Sequence, residues 1–324
     1  MCAMEESERL RPFGWDEEWA RAASGLRAGP RDSVPGRVVR VDKGWATVAT
    51  APGTIRAKTA GNDVATGDWV LVARGAVAGV LPRRSTFVRG DPIEGRARKP
   101  QVVAANVDVV LVVQSLTNGP NLRRLERELV LAFESGAMPV VVLTKADLVD
   151  DVRARQAVGD AASAAPDVEV IATSAVTGAG VEQVRVLAHE NRTLALIGAS
   201  GVGKSTLVNA LTGEASQATR DVRAHDQRGR HTTTARELIS LPDGGLVVDT
   251  PGLRAVSLWD ADEGLARVFA DIEALAAQCR FANCTHNTEP GCAVLAAIDA
   301  GTLDPARFEH YRRLDAELDE RAAR

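Results

Sequence analysis

The sequence predicts an α/β fold with two additions: a small β-barrel before a mostly parallel sheet, and a helical, metal-clasped segment after it. Three observations carry this. From about residue 104 to 258, continuous Val, Ile and Leu runs alternate with helical patterns, as in a parallel sheet covered on both faces. Within that stretch, "LALIGASGVGKSTLVNAL" (194–211) sets Gly198, Gly203, Lys204 and Ser205 at the spacing G-x-x-x-x-G-K-[ST], between an apolar strand and a helix. After the sheet, Cys279, Cys284, His286 and Cys292 form the pattern C-x₄-C-x-H-x₅-C.

The 324 residues allow roughly two domains and a small appendage. An apolar fraction of 45% is enough for a sizeable core. The net charge of −4 gives no global hint of nucleic acid, so only local charge bears on that question. No apolar run reaches the ~18 residues of a spanning helix, and the acidic N-terminus lacks the apolar stretch of a secretory signal. A cytoplasmic chain without membrane contact is expected. Arginine outnumbers lysine 34 to 5, a composition bias that makes each lysine informative.

Taken in order, residues 1–35 read as a mobile tail, with at most a turn or two of helix in "WDEEWARAA". Residues 36–99 hold short strands, "RVVRV", "WATVAT", "DWVLVA" and "GVLPRRSTFVR", separated by Gly-rich turns. They suit a barrel of the oligonucleotide-binding (OB) type; an SH3-like or purely structural barrel is the other reading. A basic linker closes the segment, with Arg83, Arg84, Arg89, Arg96, Arg98 and Lys99 against Asp91 and Glu94. It is either a solvated loop or, beside such a barrel, an arm that contacts phosphates. Residues 100–258 give the strands "VDVVLVVQS", "MPVVVLT", "VEVIA", "TLALIG", "ARELISL" and "GLVVD", with helices at "NLRRLERELVLAFES", at "GVEQVRVLAHE" and after the phosphate loop. Residues 259–324 are helical and mostly acidic around the cysteine cluster.

A phosphate loop leaves the base open. No lysine follows Lys204, so a base-reading lysine must lie upstream. "TKAD", Thr144 to Asp147, leaves an apolar strand. The Asp147 carboxylate can accept from guanine N1–H and N2–H₂ together, which adenine does not offer, and the Lys145 stem can lie on the purine face. "TSA", Thr173, Ser174 and Ala175, ends another strand, where a backbone N–H can meet guanine O6. Either alone is as readily a strand-exit loop. Both at the carboxyl ends of a parallel sheet that also carries a phosphate loop make a guanine reader.

In the phosphate half, Gly198 and Gly203 let backbone N–H groups close around phosphates, and Ser200, Gly201, Val202 and Thr206 complete the binding set. Lys204 neutralises β/γ charge and Ser205 ligates Mg²⁺. "LVVDTPG" ends a strand in D-x-x-G: Asp249 holds Mg²⁺ directly or through water, and the Gly252 N–H meets the γ-phosphate. The next residue is Leu253, which cannot orient an attacking water as a glutamine does. Three thiolates and an imidazole at Cys279, Cys284, His286 and Cys292 complete a tetrahedral Zn²⁺ shell with no open position. A disulfide or buried free thiols are the alternatives, and Cys2 is a leftover terminal residue.

The motif order is rotated, with the base-reading half first, a plausible permutation because domain termini often lie close together. On these motifs the chain resembles a circularly permuted GTPase and, more narrowly, the ribosome small-subunit-dependent GTPase A family (RsgA/YjeQ), over residues 36–324. The resemblance implies an α/β circularly permuted P-loop GTPase domain with an N-terminal OB-type β-barrel and a C-terminal helical zinc-binding module. It implies hydrolysis of GTP to GDP and phosphate, activated by the small ribosomal subunit, as a late maturation checkpoint. GTP/GDP, Mg²⁺ and one structural Zn²⁺ are the implied cofactors. The implied partners are the small subunit and its rRNA, bound by a monomer. By the same resemblance, residues 220–238 are the first switch, Thr233 or Thr232 contacts Mg²⁺, and His231 positions water; the alternative for His231 is an exposed histidine without a role. His231, Lys204 and Thr233 are then the catalytic set. Arg223, Arg228 and Arg230 stay in solvent or meet RNA when that loop orders. One departure is Thr144, where such GTPases carry asparagine, which softens the expected guanine selectivity. Two other classes compete: an RNA-binding module whose nucleotide site is regulatory or structural, and a P-loop kinase, against which "TKAD", "TSA" and "DTPG" argue.

Overall fold

The computed structural model describes residues 3–26, 32–89, 101–213, 236–249 and 261–322. The N-terminal segment departs from the expected mobile tail. It folds as α1 (Ala3–Leu10) and α2 (Glu17–Gly25), the second capped by Asp16, which accepts from the Trp19 N–H at 2.9 Å. Leu10, Trp15 and Trp19 pack with Trp69, Leu71 and Leu81 of the barrel. Trp15 meets Trp69 edge-on at 4.7 Å. Two indoles supply the buried area that a short polar segment otherwise lacks, which is why composition suggested a tail.

The barrel strands are β1 (Val34–Asp42), β2 (Trp45–Thr50), β3 (Gly53–Lys58), β4 (Trp69–Ala73) and β5 (Ala76–Val80). Their order is β1-β2-β3-β5-β4, and β4 pairs back onto β1. This five-stranded closure, with β3 parallel to β5, is the Greek-key arrangement expected of an OB-type barrel. Small β-branched and alanine side chains, among them Val38, Val48, Ala57, Val70 and Val77, fill the narrow interior. β3 is a strand the turn-rich sequence "APGTIRAK" concealed. β6 (Thr86–Arg89) and β7 (Gln101–Ala105) form a separate antiparallel pair.

The basic linker resolves into two parts. Arg83 is a structural ion: its Nε and Nη2 reach the fully buried Asp68 at 2.8 Å each. Arg84 bridges Asp16 and Glu18 of the N-terminal segment, each at 2.7 Å, and lies over Trp19. Neither is a free phosphate contact. Arg96, Arg98 and Lys99 lie outside the described residues.

The α/β domain runs β8 (Val109–Ser115), α3 (Leu122–Glu134), β9 (Met138–Thr144), α4 (Asp151–Ala164), β10 (Glu169–Ala172), α5 (Val181–Val186), β11 (Thr193–Ile197), α6 (Lys204–Thr212), β12 (Arg236–Ser240) and β13 (Leu246–Asp249). The order β10-β9-β8-β11-β13 is parallel throughout, with β12 antiparallel at its end. Chain order reverses between β8 and β11, and the phosphate loop leaves β11 at that switch point, where ligands bind in open α/β sheets. Separate apolar cores cover the two faces, one including α3 and α4, the other α5 and α6. β12 also pairs with β1, Arg40 opposite Glu237 and Val41 opposite Arg236, so barrel and α/β domain share one eleven-stranded sheet.

The C-terminal module consists of α7 (Asp262–Val268), α8 (Ala270–Ala276), α9 (Ala293–Asp299) and α10 (Pro305–Ala322). It docks on α3. The buried Glu126 carboxylate pairs with Arg307 and His310, and Arg127 pairs with Glu317. Gly264 lets α7 approach closely: a Cβ there would lie 2.4 Å from the Val130 carbonyl. Among the described residues, no helix is long and apolar enough to cross a membrane.

Candidate functional site

The phosphate loop is shaped by where glycine is required. Gly198 has φ +138°, and a Cβ on it would lie 2.3 Å from the Val113 carbonyl of β8. Gly203, at φ +103°, opens α6 beside the Thr144 side chain. Between them run Ala199, Ser200, Gly201 and the buried Val202. Lys204 folds back over the loop, donating to the Gly198 carbonyl at 2.6 Å and to that of Ala199. Two carbonyls thus hold the ammonium where phosphate oxygens can replace them. Ser205 and Thr206 are exposed in the first turn of α6.

The two motifs expected to read the base lie against this loop. Thr144, buried at the end of β9, has its hydroxyl within reach of the Gln114 carbonyl at 3.1 Å and of the Val202 carbonyl in the loop. Lys145 takes φ +63°, which turns its side chain across the loop, and its Nζ donates to the Gly201 carbonyl at 2.7 Å. Asp147 Oδ1 accepts from the Ser174 hydroxyl at 2.6 Å. Ser174 Oγ in turn accepts from the N–H groups of Val176 and Thr177, so Ala175 sits in a hydrogen-bonded turn facing "TKAD". The Ala146 N–H donates to the Thr173 carbonyl at 3.0 Å, joining the two motifs by backbone as well. Residues far apart in the chain therefore converge: 144–147, 173–175 and 198–206 line one end of the sheet. Thr144, the departure from asparagine, braces the phosphate loop through its hydroxyl.

Asp249 ends β13, its backbone opposite Glu237; its side chain, like Gly252, Leu253, His231, Thr232 and Thr233, lies outside the described residues.

Cys279, Cys284, His286 and Cys292 come together with all four ligand atoms within 4.8 Å of one another. His286 Nδ1 lies 3.5 Å from Cys279 Sγ and 3.4 Å from Cys292 Sγ, and those sulfurs are 3.9 Å apart. A tetrahedron with bonds of about 2.0–2.3 Å has edges of about 3.5–3.8 Å, so these three donors match a Zn²⁺ shell, with Cys284 Sγ within 4.8 Å of each as the fourth. Backbone N–H groups of Ala293 and Leu295 donate to Cys279 and Cys292 sulfurs, as suits thiolates.

Two contributors carry no motif. Glu289 organises the loop inside the cluster: its carboxylate accepts from the Thr285 hydroxyl and from the N–H groups of Thr285, Asn287 and Thr288. Those bonds, the Thr285 hydroxyl foremost, hold it well below the usual carboxylate range. Gln114 joins β8 to α3 beside the phosphate loop, its Nε2 donating to Glu128 at 2.8 Å.

Comparison with known proteins agrees with this geometry. The RsgA GTPase family model matches residues 80–259. A Streptomyces coelicolor protein described as small ribosomal subunit biogenesis GTPase RsgA is 49% identical over 317 residues, covering 94% of this chain and 85% of that one. The protein of the same description from Opitutus terrae is 42% identical, covering 95% and 89%. Among solved structures, YjeQ from Thermotoga maritima is 28% identical with a TM-score of 0.65, covering 88% of this chain and 98% of that one. YloQ, described as a circularly permuted GTPase, shares the fold with a TM-score of 0.62 at 24% identity, over 90% and 96% of the two chains.

Proposed function

The chain belongs to the RsgA GTPase family, and from that premise we propose that it hydrolyses GTP to GDP and phosphate as a late checkpoint in maturation of the small ribosomal subunit, which activates it. The observation that carries the nucleotide assignment is the convergence of "TKAD", "TSA" and the phosphate loop, clasped by the 2.7 Å bond from Lys145 to Gly201. The ribosomal role rests on the names its relatives carry.

Asp147 accepts from the guanine N1–H and N2–H₂ while Ser174 holds its other side. Lys145 lays its stem on the base. Lys204 exchanges the Gly198 and Ala199 carbonyls for β- and γ-phosphate oxygens, and backbone N–H groups of 198–203 close around the phosphates. Ser205, Thr233 and Asp249 are the residues that would hold Mg²⁺, which when bound neutralises charge developing on the phosphates. With leucine at 253, His231 takes the water-positioning role, and the weak intrinsic site awaits its partner. Cys279, Cys284, His286 and Cys292 would hold a structural Zn²⁺, which ties a loop with few large apolar residues.

RNA contact fits two exposed aromatic positions. Trp45, 36% exposed on the barrel, is flanked by Arg56 and Lys58 at 5.3 and 5.6 Å from its ring. Phe281, in the metal module, lies under Arg280. Exposed rings beside cations are what single-stranded bases stack on. The protein works as a monomer in the cytoplasm. Phosphate release with and without purified small subunits tests it.

A further inference from the structure

A phosphate loop holds its ligand only while its N–H groups face inward. Each peptide plane points its C=O and N–H opposite ways, so the loop's carbonyls must be held facing outward. "TKAD" does this at two places: Lys145 Nζ donates to the Gly201 carbonyl at 2.7 Å, and the buried Thr144 hydroxyl reaches the Val202 carbonyl. That carbonyl shares its peptide plane with the Gly203 N–H. Gly203 lies against the Thr144 side chain at φ +103°, and glycine turns at little cost, so the plane stays put only while its carbonyl is bound. The same hydroxyl lies 3.1 Å from the Gln114 carbonyl at the end of β8. Gln114 is buried and tied down, its Nε2 donating to Glu128 at 2.8 Å and its Oε1 accepting from the Asn121 N–H, so this second carbonyl does not move away. A hydroxyl has one proton to give. It serves Val202 or Gln114, never both at once. Asp147, the base reader, has its bond to Ser174 instead.

We propose that Thr144 is a positioning residue that sets how long the nucleotide is held, and that its single, shared proton makes this chain release guanine nucleotide faster than an asparagine there would, without altering the choice of base. This rests on the GTP reading of the site. While the proton goes to Val202, the Gly203 N–H faces the phosphates. While it goes to Gln114, the Val202–Gly203 peptide is free to turn and that phosphate contact is lost. An asparagine amide carries two N–H donors and ends the competition at nearly the same side-chain volume. One hydrogen bond between neutral groups changes affinity by roughly two- to tenfold.

The test is the dissociation rate of a fluorescent GDP from the full chain, with Mg²⁺, chased by excess unlabelled GDP. Beside it, competition gives the affinity ratio of GTP to inosine triphosphate, whose base lacks the guanine N2–H₂. Thr144→Val has the same shape and no proton, and release quickens by roughly two- to tenfold. Thr144→Ser returns the proton and restores the hold that Thr144→Val loses. Thr144→Asn slows release below the parent's rate by a similar factor, which loss of a merely structural contact would not do. The GTP-to-inosine triphosphate ratio stays at the parent's throughout. If Thr144→Val fails to fold, Thr144→Asn against the parent decides alone. Release from Thr144→Asn at the parent rate or faster overturns the proposal, and so does a changed base ratio at an unchanged rate; both leave the GTP reading standing, because labelled GDP still binds. If labelled GDP binds neither the parent nor any variant, the GTP reading falls and this inference with it.

Discussion

Asp147→Asn exchanges one carboxylate oxygen for an amide while leaving the side chain's size unchanged. In the parent, Asp147 Oδ1 is taken by the Ser174 hydroxyl at 2.6 Å, itself fixed by the N–H groups of Val176 and Thr177. The substituted asparagine can keep that bond with its carbonyl oxygen, which leaves its NH₂ group toward the base. Guanine presents two donors on that edge, so donor would face donor. A hydrogen bond to a charged group contributes roughly 1.5–3 kcal/mol, so losing one weakens GTP binding by about ten- to a hundredfold. Xanthine carries a carbonyl where guanine carries N2–H₂, and the amide suits it. The assay is competition of GTP and xanthosine triphosphate against a labelled nucleotide, in parent and variant. The variant should lose GTP and gain xanthosine triphosphate, with melting unchanged. A variant that still prefers GTP would show that "TKAD" is only a strand-exit loop braced against Ser174.

Metal analysis of the purified protein should find about one equivalent of Zn²⁺, lost in Cys284→Ala and released more readily in Glu289→Gln; full occupancy in Cys284→Ala would overturn the ligand set. Glu289 is held ionised by the loop, so its organising bonds persist at neutral pH and are lost only as acid protonates it. Arg83→Ala leaves the buried Asp68 without its partner and should cost about 3–5 kcal/mol in denaturant unfolding, whereas stability near the parent's would refute a structural role. Replacing Arg96, Arg98 and Lys99 with alanine should leave stability alone and lower the salt slope of small-subunit binding by roughly 0.7–0.9 for each phosphate no longer neutralised; an unchanged slope would make the arm a solvated linker. His231→Ala should keep GTP binding and lower kcat roughly a hundredfold on the subunit, and turnover at the parent rate would exclude it.

Sequence patterns revealed the parts whose signal is local. Val-rich β8 and β9, the Leu/Ile run of β11, the phosphate loop and the Cys₃His cluster are each legible within a short stretch of chain. Helix α4 was not, because "DVRARQAVGDAASA" is rich in alanine and has little apolar contrast between its faces. The N-terminal helices were hidden for a different reason: their stability comes from Trp69, some fifty residues away. Pairing of β12 with β1 is likewise nonlocal, since neither strand's alternation names its partner. At the site, motif spacing points to Asp147 and Lys204 but not to Gln114 or Glu289. Those two act through contacts across elements or within one loop, and a lone Gln at a strand end or Glu in a turn carries no pattern. In the sequence Thr144 stands out only as a missing asparagine; its bracing of Val202 depends on the fold.

The small ribosomal subunit triggers the proposed nucleotide switch. Its most direct test is multiple-turnover phosphate release from GTP, measured with the full chain alone, with purified small subunits, and with subunits plus Lys204→Ala. Slow release by the chain alone, strong acceleration by the subunit, and none in Lys204→Ala is the expected result. Binding of GTP without any turnover on the subunit would contradict it and leave a nucleotide that serves only to stabilise an RNA-binding protein.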